Sequence, residues 1–112
     1  MGDSTQEARQ HCLNGSFARS YGYLIKVLTS LNMLSLMKRD PQMPDEAVTP
    51  EYCMDELAIV GDVDECARQL NELYEVSGGF GTLLMIARDW DDKEKWHRSI
   101  ERLAKDVVPQ LP

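Results

Sequence analysis

The most restrictive feature of the chain is the continuous apolar run Thr82-Leu83-Leu84-Met85-Ile86-Ala87, bounded by Gly81 and by Arg88-Asp89. A run that does not alternate with polar residues suits a strand covered on both faces, as in a parallel sheet. A parallel neighbour requires a crossover of a dozen or more residues, and the upstream sequence offers one. Leu57–Val60 is a second short apolar run, ended by Gly61. Asp62 and Glu65 then stand at capping-box spacing, where each side chain serves an exposed amide of a first helical turn. Val63, Cys66, Ala67, Leu70, Leu73 and Tyr74 step by three and four along one helical face, and Gly78-Gly79 ends it. After the second run, a helix from about Asp92 to Val108 carries Trp96, Ile100, Leu103, Ala104, Val107 and Val108. The second half therefore predicts an α/β fold, a β-α-β-α unit with strands at 57–60 and 82–87, whose crossover is right-handed.

The first half reads as helical. Ser4 and Glu7 have the spacing of another capping box, for a helix that Gly15 stops near Asn14. Ser16 is placed to cap the next helix, along which Phe17, Tyr21, Leu24, Ile25, Leu28 and Leu31 form one stripe. Residues 39–50 carry Pro41, Pro44 and Pro50 among polar neighbours and read as an internal Pro-rich loop. No internal repeats and no low-complexity segments are read.

Two strands make a poor sheet, and 112 residues supply few neighbours for a strand buried on both faces. A complete (β/α)8 barrel needs about 250 residues. The chain is expected to be a single domain over 1–112 that belongs to a larger α/β fold or completes itself by association.

Composition narrows the partners. The net charge of −7 repels phosphate backbones and argues against nucleic acid. No apolar run approaches the roughly 18 residues that span a membrane, and no signal or transit peptide is read at Met1-Gly2-Asp3-Ser4. Three widely spaced cysteines, Cys12, Cys53 and Cys66, fit neither a disulfide framework nor a zinc site, so no metal and a reduced, cytoplasmic setting are expected.

The candidate chemistry is sparse. Gly78-Gly79-Phe80-Gly81 follows a helix and precedes a strand, the reverse of a phosphate loop, and reads as a helix stop and tight turn. Val60-Gly61-Asp62 does lead from strand to helix, but Asp62, Asp64 and Glu65 already satisfy that helix dipole. His11 and Cys12 are adjacent and so face different sides of a helix. His97 reads as solvent-facing. Asp89, Trp90, Asp91 and Asp92 follow the second strand, where a barrel carries its active site. Asp91 or Asp92 is expected to cap the last helix, leaving Trp90 as a candidate for contact with substrate. Met33, Leu34, Leu36, Met37 and Met43 read either as pocket lining or as an adaptable core or interface.

The ordered stretch from Ile59-Val-Gly-Asp-Val-Asp-Glu-Cys-Ala-Arg-Gln-Leu to Leu73-Tyr-Glu-Val-Ser-Gly-Gly-Phe-Gly-Thr-Leu-Leu-Met-Ile-Ala-Arg-Asp-Trp resembles the C-terminal end of luciferase-like flavin-dependent monooxygenases, within them the limonene-monooxygenase-like branch. Pro41-Gln-Met-Pro-Asp-Glu-Ala-Val-Thr-Pro-Glu-Tyr is similar to the loop before the seventh strand there. The resemblance implies the end of a (β/α)8 TIM barrel, with 57–60 as strand seven and 82–87 as strand eight. It implies reduced FMN and molecular oxygen acting on an apolar small molecule, with a flavin reductase as partner. It assigns no catalytic or flavin-binding residue here, because the family's main flavin contacts come from earlier strands. Trp90, Met33 and Met37 are the candidates for the substrate pocket. The expectation is a C-terminal portion of such an enzyme, inactive as an isolated chain. The alternative is a non-catalytic, self-associating α/β interaction module.

Overall fold

A computed structural model gives the fold and describes residues 1–85 and 91–112. Five α-helices carry it: α1 (Thr5–Asn14), α2 (Ser16–Ser30), α3 (Pro50–Glu56), α4 (Val63–Ser77) and α5 (Lys93–Arg102). Short 3-10 turns occupy Leu34–Met37 and Asp45–Ala47, and α5 runs on through a π turn over Leu103–Val107 into a 3-10 turn over Val108–Gln110.

Local capping sets most of these boundaries. Ser4, Thr49, Asp62 and Asp92 each accept a hydrogen bond from the amide three residues on, at 3.0–3.1 Å. Pro50 takes the first position of α3, where its missing N–H costs nothing. Gly78 closes α4 at φ +76, in the left-handed region that glycine enters freely.

Three sequence expectations need correction. The strands are absent among the described residues: Leu57–Val60 follows the last turn of α3 without joining a ladder, and 82–85 carries no regular secondary structure. Residues 86–87 lie outside the described residues. A strand exists only through its neighbours' N–H and C=O groups, and among the described residues no backbone ladder forms with these segments. Second, the Pro-rich segment 39–50 ends in a helix start, with Thr49 as cap. Third, Ser16 does not cap α2. Gly15 holds the cap position, and the cap comes from far along the chain.

Among the described residues, eight of the ten buried apolar side chains form two small clusters, with Ala8 and Met54 buried outside them. Leu34, Met37, Val48 and Cys53 meet beneath Tyr21, Ile25, Leu28 and Tyr52 where α2 and α3 pack. Cys66, Ala67, Leu70 and Val107 meet where α4 packs on the π turn, joined by Met1, Val63 and Leu103. The π turn shifts the stripe of the last helix, so Val107 is buried while Val108 is exposed.

Candidate functional site

An open cleft of about 520 Å³ lies between the two clusters. Phe17 and Tyr21 from α2, Ala8, His11 and Cys12 from α1, Cys66 and Leu70 from α4, and Trp96 and Leu103 line it. Its remaining wall is made of the two apolar runs, Leu57–Val60 and Leu83–Met85. These runs were expected to lie inside a sheet. Here they face the opening, with Leu57 and Ile59 each 38% exposed and Leu84 81% exposed.

The rim is polar and internally satisfied. Asp91 reaches the start of α2, where its carboxylate accepts hydrogen bonds from the Ser16 amide and, at 2.6 Å, from the Arg19 guanidinium. The Ser16 amide, then the Ser16 hydroxyl and Arg19, hold the Asp91 carboxyl down at about 2. A Cβ at Gly15 would lie 2.5 Å from the Asp91 Oδ2 and 2.9 Å from the His11 carbonyl oxygen, so only glycine lets the carboxylate in. Lys95 pairs with Glu7 at 3.7 Å on the same rim. Asp92, not Asp91, caps α5. Burial pushes the Cys12, Cys53 and Cys66 thiols up, which leaves them protonated and unreactive at neutral pH.

The sequence candidates fall differently. Met37 is buried in the first cluster, and Met33 is 44% exposed beyond the end of α2; the cleft is lined by neither. Trp90 and Asp89 lie outside the described residues. His11 is exposed at the cleft edge while its neighbour Cys12 is half-buried, so the two side chains diverge as the helix demands. Gly78-Gly79 is the helix stop expected of it; the Tyr74 ring lies 3.2 Å from where a Cβ on Gly79 would stand. No group of three or more metal-ligating side chains occurs among the described residues. No helix among them is long and apolar enough to cross a membrane.

Sequence reasoning missed Gln69. Its side-chain amide serves both backbone groups of Val60, accepting from the N–H at 3.3 Å and donating to the C=O at 3.2 Å. Glu65 fixes it from the other side, accepting from the Gln69 Nε2 at 2.7 Å. No local spacing rule joins an exposed-looking helical glutamine to a backbone nine residues away.

No family model matches the chain. Among characterised proteins, it is 29% identical over 111 residues to the 3,6-diketocamphane 1,6-monooxygenase of Pseudomonas putida, a match covering 97% of this chain and 29% of that one. It is 46% identical over 53 residues to the 4-hydroxyprotoasukamycin monooxygenase of Streptomyces nodosus subsp. asukaensis, which covers 47% of this chain and 14% of that one. Among solved structures, a type II Baeyer-Villiger monooxygenase, the oxygenating constituent of 3,6-diketocamphane monooxygenase from Pseudomonas putida in complex with FMN, superposes with a TM-score of 0.88. That match has 28% identity and covers 99% of this chain and 31% of the other. The chain thus spans under a third of the length of the relatives it matches. In sequence and in structure, the chain is similar over nearly its whole length to one part of flavin-dependent monooxygenases of the luciferase-like kind.

Proposed function

We propose that this chain is the C-terminal part of a flavin-dependent monooxygenase barrel that oxygenates an apolar small molecule, and that it binds flavin only together with the rest of that barrel. The observation that carries the reading is the cleft: its apolar wall is built from the two runs that a parallel sheet would bury. The Baeyer-Villiger relative, bound to FMN, supplies the class of chemistry.

The described residues fit one half of FMN and not the other. An apolar cleft suits a flat ring or an apolar substrate. A phosphate wants a free helix N-terminus or converging cations. Every α-helix here already has its N-terminus filled, by Ser4, Asp91, Thr49, Asp62 and Asp92 for α1 to α5 in turn. Lys95 and Arg19 are engaged by Glu7 and Asp91. The phosphate cradle must therefore come from elsewhere in the barrel. Reduced FMN with oxygen supplies the oxidising chemistry when bound, and a flavin reductase supplies the reduced cofactor. This chain's own share is to wall the pocket with Phe17, Tyr21 and the two apolar runs and to keep water from it, with Trp90 beside Asp91 in sequence as a further boundary.

The test is a covalent chimera in which this chain replaces the matching part of the Pseudomonas 3,6-diketocamphane 1,6-monooxygenase. The isolated chain should leave FMN fluorescence unquenched, while the chimera should quench it saturably and oxygenate an apolar ketone when given reduced FMN. A folded chimera that does not bind FMN would refute the reading. The exposed apolar runs also favour a second reading, a non-catalytic module that self-associates. Light scattering separates the two, since that module forms a stable homodimer and has no use for the missing barrel.

A further inference from the structure

The cleft wall at Leu57–Val60 is held from behind by a side chain that does not itself line the cleft. Gln69 stands on α4, nine residues on from Val60. Its amide meets both backbone groups of that residue. The Val60 N–H donates to the Gln69 Oε1 at 3.3 Å, and the Gln69 Nε2 donates to the Val60 C=O at 3.2 Å. The same nitrogen donates to the Glu65 carboxylate at 2.7 Å. A carboxylate can only accept, so the nitrogen must face Glu65 and the oxygen must face the Val60 N–H. Arg68 completes the arrangement, donating to the two Glu65 oxygens at 2.8 and 2.9 Å. Arg68, then Gln69, holds the Glu65 carboxyl down at about 2, so it stays an acceptor at neutral pH.

Gly61 admits this network. A Cβ there would lie 2.7 Å from the Glu65 Cγ and 2.8 Å from the Glu65 Cβ, so a larger residue would push Glu65 away from Gln69. The wall is also tied at its two ends. The Leu57 amide donates to the Cys53 carbonyl at 3.0 Å, and the Gly61 carbonyl accepts from the Gly2 amide at 3.1 Å. Among the described residues, no backbone ladder holds the segment between those ties. The stance of Val60, and of Ile59 beside it, is therefore set by a side chain of the helix behind. An apolar molecule is recognised by shape: one methylene more or less in an apolar pocket is worth about 10- to 200-fold. A small shift of this wall is enough to select among substrates.

We propose that Gln69 is a positioning residue of the substrate cleft: through the Val60 backbone it fixes how far Leu57–Val60 stands into the opening, and thereby which apolar substrates fit, without touching them. The inference rests on the flavin monooxygenase reading for the class of substrate. The stance of the wall is measurable without it.

The experiment compares Gln69→Glu, Gln69→Leu and Asn71→Ala in the free chain and in the covalent chimera. Glutamate keeps the length of the side chain, loses the donor and meets Glu65 with like charge; leucine removes both contacts with Val60. Asn71 is the control: its amide donates to the Ala67 and Gln110 carbonyls, at 2.9 and 3.3 Å, and it does not line the cleft. In the free chain, both Gln69 variants should speed amide exchange at Val60 by roughly tenfold or more with helix content unchanged. In the chimera, Gln69→Glu should raise KM for an apolar ketone by roughly tenfold or more and change the preference between two ketones that differ by one methylene. Its kcat and FMN affinity should stay within about threefold, because the wall holds the substrate equally before and during reaction. Calorimetry of ketone binding to the FMN-free chimera should show the same loss. Asn71→Ala should lower the thermal midpoint and leave KM and the preference unchanged. The proposal is overturned by Val60 exchange indifferent to Gln69→Leu, by ketone affinity indifferent to Gln69→Glu in a folded chimera, or by an equal loss in Asn71→Ala. Where the chimera does not fold, exchange at Val60 in the free chain decides. An unsubstituted chimera that binds ketone and not FMN defeats the flavin reading, and Gln69 is then judged on ketone affinity and exchange. A chimera that oxygenates the same ketones equally well with and without Gln69 does the reverse.

Discussion

Asp91 performs at α2 the task that local spacing assigned to Ser16, and it does so across 75 residues of chain. Its folded-state carboxyl sits at about 2 against an ordinary 3.8, chiefly through the Ser16 amide. A carboxyl depressed on folding adds stability in full above its unfolded value and loses it as pH falls through the folded value. Asp91→Asn should therefore lower the thermal midpoint at neutral pH. It should also flatten the fall in midpoint between pH 4 and pH 2, measured by circular dichroism; an unchanged slope would mean the carboxylate contributes nothing. Two glycines predict opposite signs. Gly22 lies inside α2 with nothing within 4 Å of a would-be Cβ, so Gly22→Ala should stabilise by about 0.5–1 kcal/mol. Gly78 is equally open but sits at φ +76, so Gly78→Ala should cost about 1–2 kcal/mol. Urea titration of the two variants reads both. Caps at Ser4, Asp62 and Asp92 were legible because donor and acceptor are three residues apart. The Asp91 cap was not, because nothing near Ser16 announces it.

At the scale of elements, the helices were readable and the strands were not, for one reason. A helix closes its hydrogen bonds within its own sequence, whereas a strand borrows them from another segment. The apolar runs at 57–60 and 82–87 were read as strands buried in a sheet, whereas the described part of both lies at the cleft with Leu57, Ile59 and Leu84 exposed. The start of α3 was legible in Thr49-Pro50-Glu51, and proline density hid it. The methionines split in the same way: spacing grouped Met33 with Met37, but only the second faces inward. Met37→Ala should cost about 2–5 kcal/mol, while Met33→Ala should stay within about 0.5 kcal/mol. Equal losses for both would place Met33 in a contact that this fold does not show.

At the scale of the molecule, the radius of gyration is 14.8 Å, against about 13 Å for a compact domain of this length. The extents of 40 × 34 × 22 Å are uneven, and the cleft opens between the two buried clusters. One cluster ties α2 to α3 and the turn at Leu34–Met37; the other ties α4 to the π turn at Leu103–Val107. Among the described residues, polar contacts run between the elements around them. Thr5 reaches Asp62, Arg102 reaches the Gly2 carbonyl and Asp3, Arg9 pairs with Asp55, and Asp91 reaches α2. Most of these are exposed polar contacts, each contributing little to stability. Cooperative unfolding needs a shared core, and here the shared surface is the unfilled cleft. The free chain should therefore open in two parts. Leu70→Ala should accelerate amide exchange in α4 and the C-terminal turns while leaving α2 and α3 near their original rates. Val48→Ala should do the converse. In the covalent chimera, where the cleft wall is covered, either substitution should accelerate both halves together. Uniform acceleration in the free chain would mean that the two clusters already act as one core, and that the cleft walls are stable without a partner.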